Sequence, residues 1–263
     1  MTNKKDSLKK TIQEENEFWT KIFKKEDKNF VNEFSSHWWK LYYQEISGYI
    51  RSFFDFNGDF NLLEAGSGSG KASILLGKNV RRTFLDISPS ALQFAKKLST
   101  RFGTSNIDYV EGDIFIMPFE NNQFTLTWNI GVVEHYSKKE IKEILREMIR
   151  VTKNDGYVII GFPNFKSFPI IKAKLLKKNI FKYISGYRLG SEINYSLEEI
   201  QALAKSVSSN EINLKLIDST TLGNPLIMET PKIIIKLLGR FFEKIFYDRK
   251  FLHMLVFNVN KIG

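Results

Sequence analysis

Residues Leu62 to Ala72 read LLEAGSGSGKA, and three glycines at alternate positions directly after an apolar run leave a chain few ways to fold. Asn61 to Ala65 predicts a strand, Gly66, Gly68 and Gly70 a tight turn, and Lys71 to about Gly77 a helix. A glycine has no Cβ, so it takes positive φ and lets a ligand lie directly on the backbone. The first turn of a helix has unpaired amides to aim at that ligand. Two phosphate-binding patterns come close and fail. The dinucleotide pattern G-x-G-x-x-G needs glycine at 71 and finds Lys71. The phosphate loop G-x-x-x-x-G-K-[ST] finds Gly70 and Lys71. It meets Ala65 and Ala72 where its first glycine and its magnesium-binding hydroxyl should stand.

The chain around this turn alternates between strand and helix. Phe18 to Phe34 has the spacing of an amphipathic helix, and the run from Ser35 to Phe54 repeats Trp38, Trp39, Tyr42, Tyr43, Ile46, Tyr49 and Ile50 at helical intervals. Trp38, Trp39 and Tyr42 suit either core packing or a roof over a ligand. Arg81 to Leu85 predicts a strand ending at Asp86, and Ser88 caps a helix with Pro89 at its first position. Ile107 to Glu111 and Phe124 to Ile130 predict strands, and Ser137 opens a helix that runs through Val151. Asn154-Asp155-Gly156 predicts a turn before a strand over Tyr157 to Phe162. Two late strands, Ile212 to Asp218 and Met254 to Asn260, predict an antiparallel addition at one edge. Such an order implies an α/β, doubly wound, mostly parallel sheet with helices on both faces.

At 263 residues and 43% apolar, the chain suits one domain with additions. No apolar run approaches the roughly 18 uncharged residues of a membrane span. The charged N-terminus lacks the apolar core of a secretory signal. Without cysteine there is no disulfide framework, thiolate metal site or thiol nucleophile, and a cytoplasmic location is expected. The net charge of +10 is concentrated in two places. Six lysines and Arg188 stand between Phe165 and Gly190 with no acid, and six basic residues face two acids between Pro231 and Lys250.

In such a sheet, ligands bind beyond the carboxyl ends of the strands. Those ends carry the three glycines, then Asp86, then Asp113, then the stretch from Asn129 to His135. An acid at the end of the second strand can accept both hydroxyls of a ribose, and its charge argues against a 2′-phosphate.

Glu64, Gly66, Gly68 and Gly70 also match the E-x-G-x-G-x-G turn of class I methyltransferases. The segments LLEAGSGSG, FLDISPSALQFAKK, EGDIFIMPFENNQFTLTWNIGVVEHY and EMIRVTKNDGYVIIGFPN follow that family's order and spacing. The run from Leu62 to Asn164 therefore resembles the class I methyltransferase core. The likeness is to the small-molecule group that includes the ubiquinone and menaquinone methyltransferases. It implies a seven-stranded Rossmann-like fold and S-adenosylmethionine as cofactor. It further implies that Glu64 and the backbone at Gly66 and Gly68, with Gly70 in the turn, hold the methionine part. Asp86 would bind the ribose and Ile87 pack on the adenine. Asp113 would accept from the adenine amino group beside the Ile114 backbone. Asn129 and Gly131 would line the approach to the methyl group.

The implied reaction is in-line displacement at a sulfonium methyl, where holding and aligning the acceptor matters most. For a hydroxyl acceptor, His135 is the nearest candidate base, with a structural role as the competing reading. No acid and histidine cluster has metal-ligand spacing. The expected domain plan is residues 1–60 as N-terminal helices and partial lid, then a methyltransferase domain over 61–263 with cap insertions at about 165–208 and 220–251. The expected function is methyl transfer to a small, apolar or aromatic acceptor at oxygen. An RNA methyltransferase and a cofactor-binding protein without turnover are the alternatives. The two basic, apolar stretches fit a plain cap, an anionic membrane surface or, less well, nucleic acid.

Overall fold

The computed structural model describes residues 17, 20, 37–56, 59–78, 80–176, 192–209, 212–227 and 230–261. The helix expected over Phe18 to Phe34 lies outside them, Thr20 apart. So do Lys177, Lys178, Lys182 and Arg188 of the first basic stretch.

Seven strands form one sheet: β1 (Asn61–Ala65), β2 (Arg81–Asp86), β3 (Ile107–Glu111), β4 (Phe124–Ile130), β5 (Thr152–Pro163), β6 (Ile212–Leu222) and β7 (Leu252–Lys261). Their spatial order is β3-β2-β1-β4-β5-β7-β6. The first five run parallel, while β7 pairs antiparallel with both β5 and β6. The order reverses between β1 and β4, the switch point where an open α/β sheet leaves a crevice.

Both faces are covered because both faces are apolar. Helices α1 (His37–Phe53), α2 (Lys71–Ile74), α3 (Pro89–Arg101), α5 (Phe168–Leu176) and α7 (Lys232–Ile245) lie on one side. On that side Leu62, Leu126, Trp128, Ile159, Met254 and Val256 meet Ile46, Ile50 and Ile235. On the other side α4 (Lys138–Val151) and α6 (Leu197–Ser206) bury Ile141, Ile144, Met148, Ile200 and Ala204 against Leu63, Val158, Ile160 and Phe257. Local chemistry sets the helix starts. Ser88 caps α3 through the Ala91 amide with Pro89 in the first turn. Ser137 with Glu140, and Ser196 with Glu199, form reciprocal capping boxes on α4 and α6. Since α6 belongs to the helical layer beside α4, it stands over the sheet and not over the strand ends.

Two local expectations change and one open choice closes. The helix after the glycine turn stops at Ile74, not near Gly77. Its cause is Arg82, whose side chain is wholly buried and donates to the carbonyls of Val80 at 2.9 Å, Ser73 at 2.7 Å and Gly77. Those carbonyls turn toward the guanidinium in place of continuing a helix. The Asn154-Asp155-Gly156 turn proves to be an irregular start of β5 itself, with Asp155 at a φ of 59°. A Cβ on Gly156 would stand 2.9 Å from the carbonyls of Lys153 and Thr125, so only glycine fits. Of the two readings of Trp38 and Tyr42, core packing is the one borne out. Trp38 donates to the Asn224 carbonyl at 3.0 Å and meets the Tyr42 and Phe251 rings at 5.3 and 5.4 Å.

Removing the Arg82 charge while keeping bulk strands several buried carbonyls. Arg82→Leu is expected to cost about 3–5 kcal/mol of stability, read from urea unfolding midpoints. A loss below about 1 kcal/mol would mean that water replaces the guanidinium.

Candidate cofactor site

The glycine turn folds back on β2. The amides of Gly66 and Ser67 both donate to the Leu85 carbonyl, at 2.8 and 2.9 Å, and the Gly70 amide donates to the Ser67 carbonyl at 2.8 Å. The Gly68 amide donates to Asp86 Oδ2 at 2.7 Å. Positive φ is required at Gly66 (72°) and Gly70 (61°). Space is required as well. A Cβ on Gly66 would stand 2.8 Å from Val132, and one on Gly70 would run into the Phe84 ring. Four amides that a phosphate loop would aim at its anion are thus turned inward.

Asp86 is almost covered and sits at the hub of this turn. Its second oxygen accepts from the Ser88 amide at 2.8 Å. Burial raises its carboxyl above the usual carboxylate range, against the amides of Ser88, Gly68 and Ile87, which pull it down. A carboxylate has about four lone-pair sites, so with three amides on it about one remains for a ligand. The Gly112 amide donates to the Asp86 carbonyl at 3.1 Å and brings the β3 end alongside. There Asp113 Oδ1 accepts from the Phe115 amide at 2.9 Å. Ile87 is half-buried, while the Ile114 side chain is core, which leaves only its backbone at the rim. Thr20 reaches the same corner, its hydroxyl 3.0 Å from that of Ser88.

Glu64 does not face this rim. Its carboxylate accepts from the Ser73 hydroxyl, and Trp128 Nε1 donates to the same hydroxyl at 3.1 Å. Burial pushes Glu64 up to about 8, against the Ser73 hydrogen bond and the Arg82 charge. Its place is under α2, where it holds the helix to the sheet.

At the end of β4 the Gly131 amide donates to the Gly161 carbonyl at 2.8 Å, and Val133–His135 make one 3-10 turn. His135 is half-buried, and burial lowers its imidazole below the usual 6.5, with Glu192 partly offsetting this. The shift favours the neutral imidazole, the form that can accept a proton. Ser67 Oγ, Asn129 Oδ1 and Glu134 Oε2 are buried without a hydrogen-bond partner among the described residues. Ser67 follows β1, Asn129 stands near the end of β4 and Glu134 follows it, either side of the switch point. Buried polar atoms are seldom left unpaired, so these fit a polar ligand in the crevice. Among the described residues no cluster of three acids or histidines is placed to hold a metal ion.

Glu134 was not singled out from the sequence. Burial pushes its carboxyl up to about 8, and the Glu192 charge adds to the rise. The signal was the acid beside His135, but nothing in the sequence shows that the side chain is buried alone. A carboxyl raised in the folded state keeps its proton where the unfolded chain has lost it. Its contribution is complete below about 4.5 and is lost as pH rises toward about 8. The Glu134→Gln variant should therefore gain stability relative to the parent across that window, by at most about 1.4 kcal/mol per pH unit. Urea midpoints at several pH values check this, and parallel curves would refute a lone protonated carboxyl.

Comparisons with known proteins agree with the geometry. The family described as "Methyltransferase domain" matches residues 63–160. Ajmaline N-methyltransferase of Rauvolfia serpentina is 30% identical over 103 residues, 38% of this chain and 35% of that protein. Demethylmenaquinone methyltransferase of Lactococcus lactis is 30% identical over 125 residues, 46% of each. The chain thus spans less than half the length of these two relatives. In the PH0226 protein of Pyrococcus horikoshii the same fold covers 85% of this chain and 92% of that one, with a TM-score of 0.58 at 17% identity. Motif order, strand order and family match converge on one stretch: residues 63–160 match a methyltransferase domain, on a fold shared with solved methyltransferase-like structures.

Proposed function

We propose that the protein transfers a methyl group from S-adenosylmethionine to a small, apolar or aromatic acceptor, at oxygen. One observation carries the cofactor half of this reading. The amides of Gly66, Ser67, Gly68 and Gly70 are consumed inside the protein, while Asp86 and Asn129 keep acceptor capacity. A rim rich in acceptors suits a ligand with a sulfonium and an ammonium group, and it does not suit a pyrophosphate.

Bound there, S-adenosylmethionine supplies an electrophilic methyl group on a positively charged sulfur. The chain's own residues hold and shield it. Gly66, Gly68 and Gly70 let the methionine part lie against the turn, and Glu64 acts from below by fixing α2. Asp86 pairs with the ribose hydroxyls and Ile87 packs on the base. Asp113 and the Ile114 backbone read the base edge. Asn129 and Gly131 line the approach to the acceptor. His135 takes the proton of the acceptor hydroxyl, a role that its neutral imidazole supports. Helix α1, whose Tyr43 ring lies beside Lys71 after the glycine turn, forms a partial lid that excludes water. The names of the two relatives support a small organic acceptor.

Calorimetry should show S-adenosylhomocysteine binding, with NAD and ATP far weaker; NAD binding of equal strength would end this reading. Asp86→Ala should weaken that affinity by about 1–3 kcal/mol, and unchanged affinity would leave Asp86 as a brace for the turn only. His135→Ala should lower kcat by about 10²–10⁴-fold while cofactor affinity holds. In the parent protein, activity should fall on acidification at a pH below 6.5. A kcat insensitive to the substitution would remove His135 as the base.

A further inference from the structure

Helix α7 faces the wrong way for a simple cap. Its inner side is fully engaged: Ile235 and Gly239 are buried, and Gly239 lies so near α1 and its neighbours that a Cβ would stand 3.0 Å from Asn224 Nδ2. That amide donates to Glu243 Oε1 at 2.8 Å, and the Asn224 carbonyl accepts from Trp38. These contacts fix the roll of the helix. They leave Ile233, Ile234, Leu237, Leu238, Phe241 and Ile245 outside, with Leu237 75%, Ile233 66% and Phe241 59% exposed. Lys232, Lys236, Arg240 and Lys244 follow at four-residue steps and so form one row along the flank of this apolar stripe. A soluble protein seldom exposes so continuous an apolar surface without using it.

Helix α5 packs against the end of α7, where its first ring, Phe168, meets Phe246 at 5.2 Å. There Ile171 and Leu175 are exposed beside Lys174. Both helices also occupy a particular edge. β5 ends where β4 ends, Leu252 of β7 pairs with Pro163, and Leu222 of β6 pairs with Leu252. The connections carrying α5 and α7 therefore leave the sheet at the edge that holds the glycine turn, Asp86 and Asn129.

We propose that α7, extended by α5, docks the protein on an anionic lipid bilayer, with the cofactor edge of the sheet turned toward the membrane. The apolar stripe inserts among the acyl chains near the headgroups, and the lysine and arginine row meets the lipid charge. The other occupants fit less well. Nucleic acid would reward the basic row but not six exposed apolar side chains. A second copy meeting α7 across a twofold axis with antiparallel helices would lay one basic row against the other. The docking goes beyond the proposed methyl transfer and is tested apart from it.

Co-sedimentation of the full chain with vesicles decides the matter. The protein should sediment with phosphatidylglycerol/phosphatidylcholine vesicles and stay in solution with phosphatidylcholine alone. Raising the salt should weaken but not abolish binding, since the apolar insertion remains. The variant K236E/R240E/K244E should bind about tenfold or more weakly. In L237D/F241D, the binding left at high salt should disappear. Both variants alter exposed side chains, so their S-adenosylhomocysteine affinity and unfolding midpoints should match the parent. Absence of vesicle binding at low salt overturns the proposal, as does equal binding to neutral vesicles. Two further results overturn it. One is RNA binding where vesicle binding fails. The other is a dimer in light scattering that L237D/F241D converts to monomer without any vesicle binding in the parent.

Discussion

The Arg82 side chain is wholly buried, and the centre of the molecule is arranged to satisfy its guanidinium. The residue lies on β2, a strand buried on both faces, so its charge can reach only the turn beneath. Taking a cation out of water is expensive unless its donors are met, and the carbonyls of Ser73, Gly77 and Val80 meet them. The chain from 73 to 80 is thereby drawn into a curl, which ends α2 after about one turn. The same curl leaves Ser73 between Glu64 and Trp128, and that bridge ties the short helix to β1 and β4. A turn as small as α2 could not hold its position by helix propensity alone.

The shape of the cofactor site follows from this anchoring. With α2 fixed below and the Leu85 carbonyl capturing two amides from above, the glycine turn has one conformation. Asp86 then serves two ends, bracing the turn through Gly68 and Ser88 and keeping some acceptor capacity for a ligand. The pattern of spent donors and spare acceptors distinguishes this turn from a phosphate-binding one far better than the spacing of its glycines. Across the switch point, the end of β4 contributes a neutral histidine, an unpaired amide oxygen and a buried carboxyl. These are groups whose chemistry depends on being shielded from water.

Much of this was legible because it is local. Ser88 with Pro89, and Ser137 with Glu140, announce helix starts within four residues, and both caps stand where they were read. The parallel strands were readable as apolar runs bounded by turns, and Asp86 and Asp113 sit at strand ends as expected. The misreadings share a cause. The end of α2 depends on Arg82, and the start of β5 on the Thr125 carbonyl beside Gly156. Each partner is distant in the chain or sits on another element. Glu134 belongs with them, because its backbone is held by Ile193 and its charge is felt by Glu192, both from a later segment.

The sequence by itself determined the alternation of strand and helix, the glycine turn, the acids at the strand ends and the amphipathic, basic character of α7. Only the tertiary structure decided where those features point. It turned the glycine amides inward, sent Glu64 beneath α2 and left the apolar stripe of α7 outside. The physical reason is that periodicity fixes which residues share a face, whereas burial is set by what packs against that face. For α7 the buried face is the one where Gly239 allows close approach to Asn224, and the larger apolar face is left to solvent.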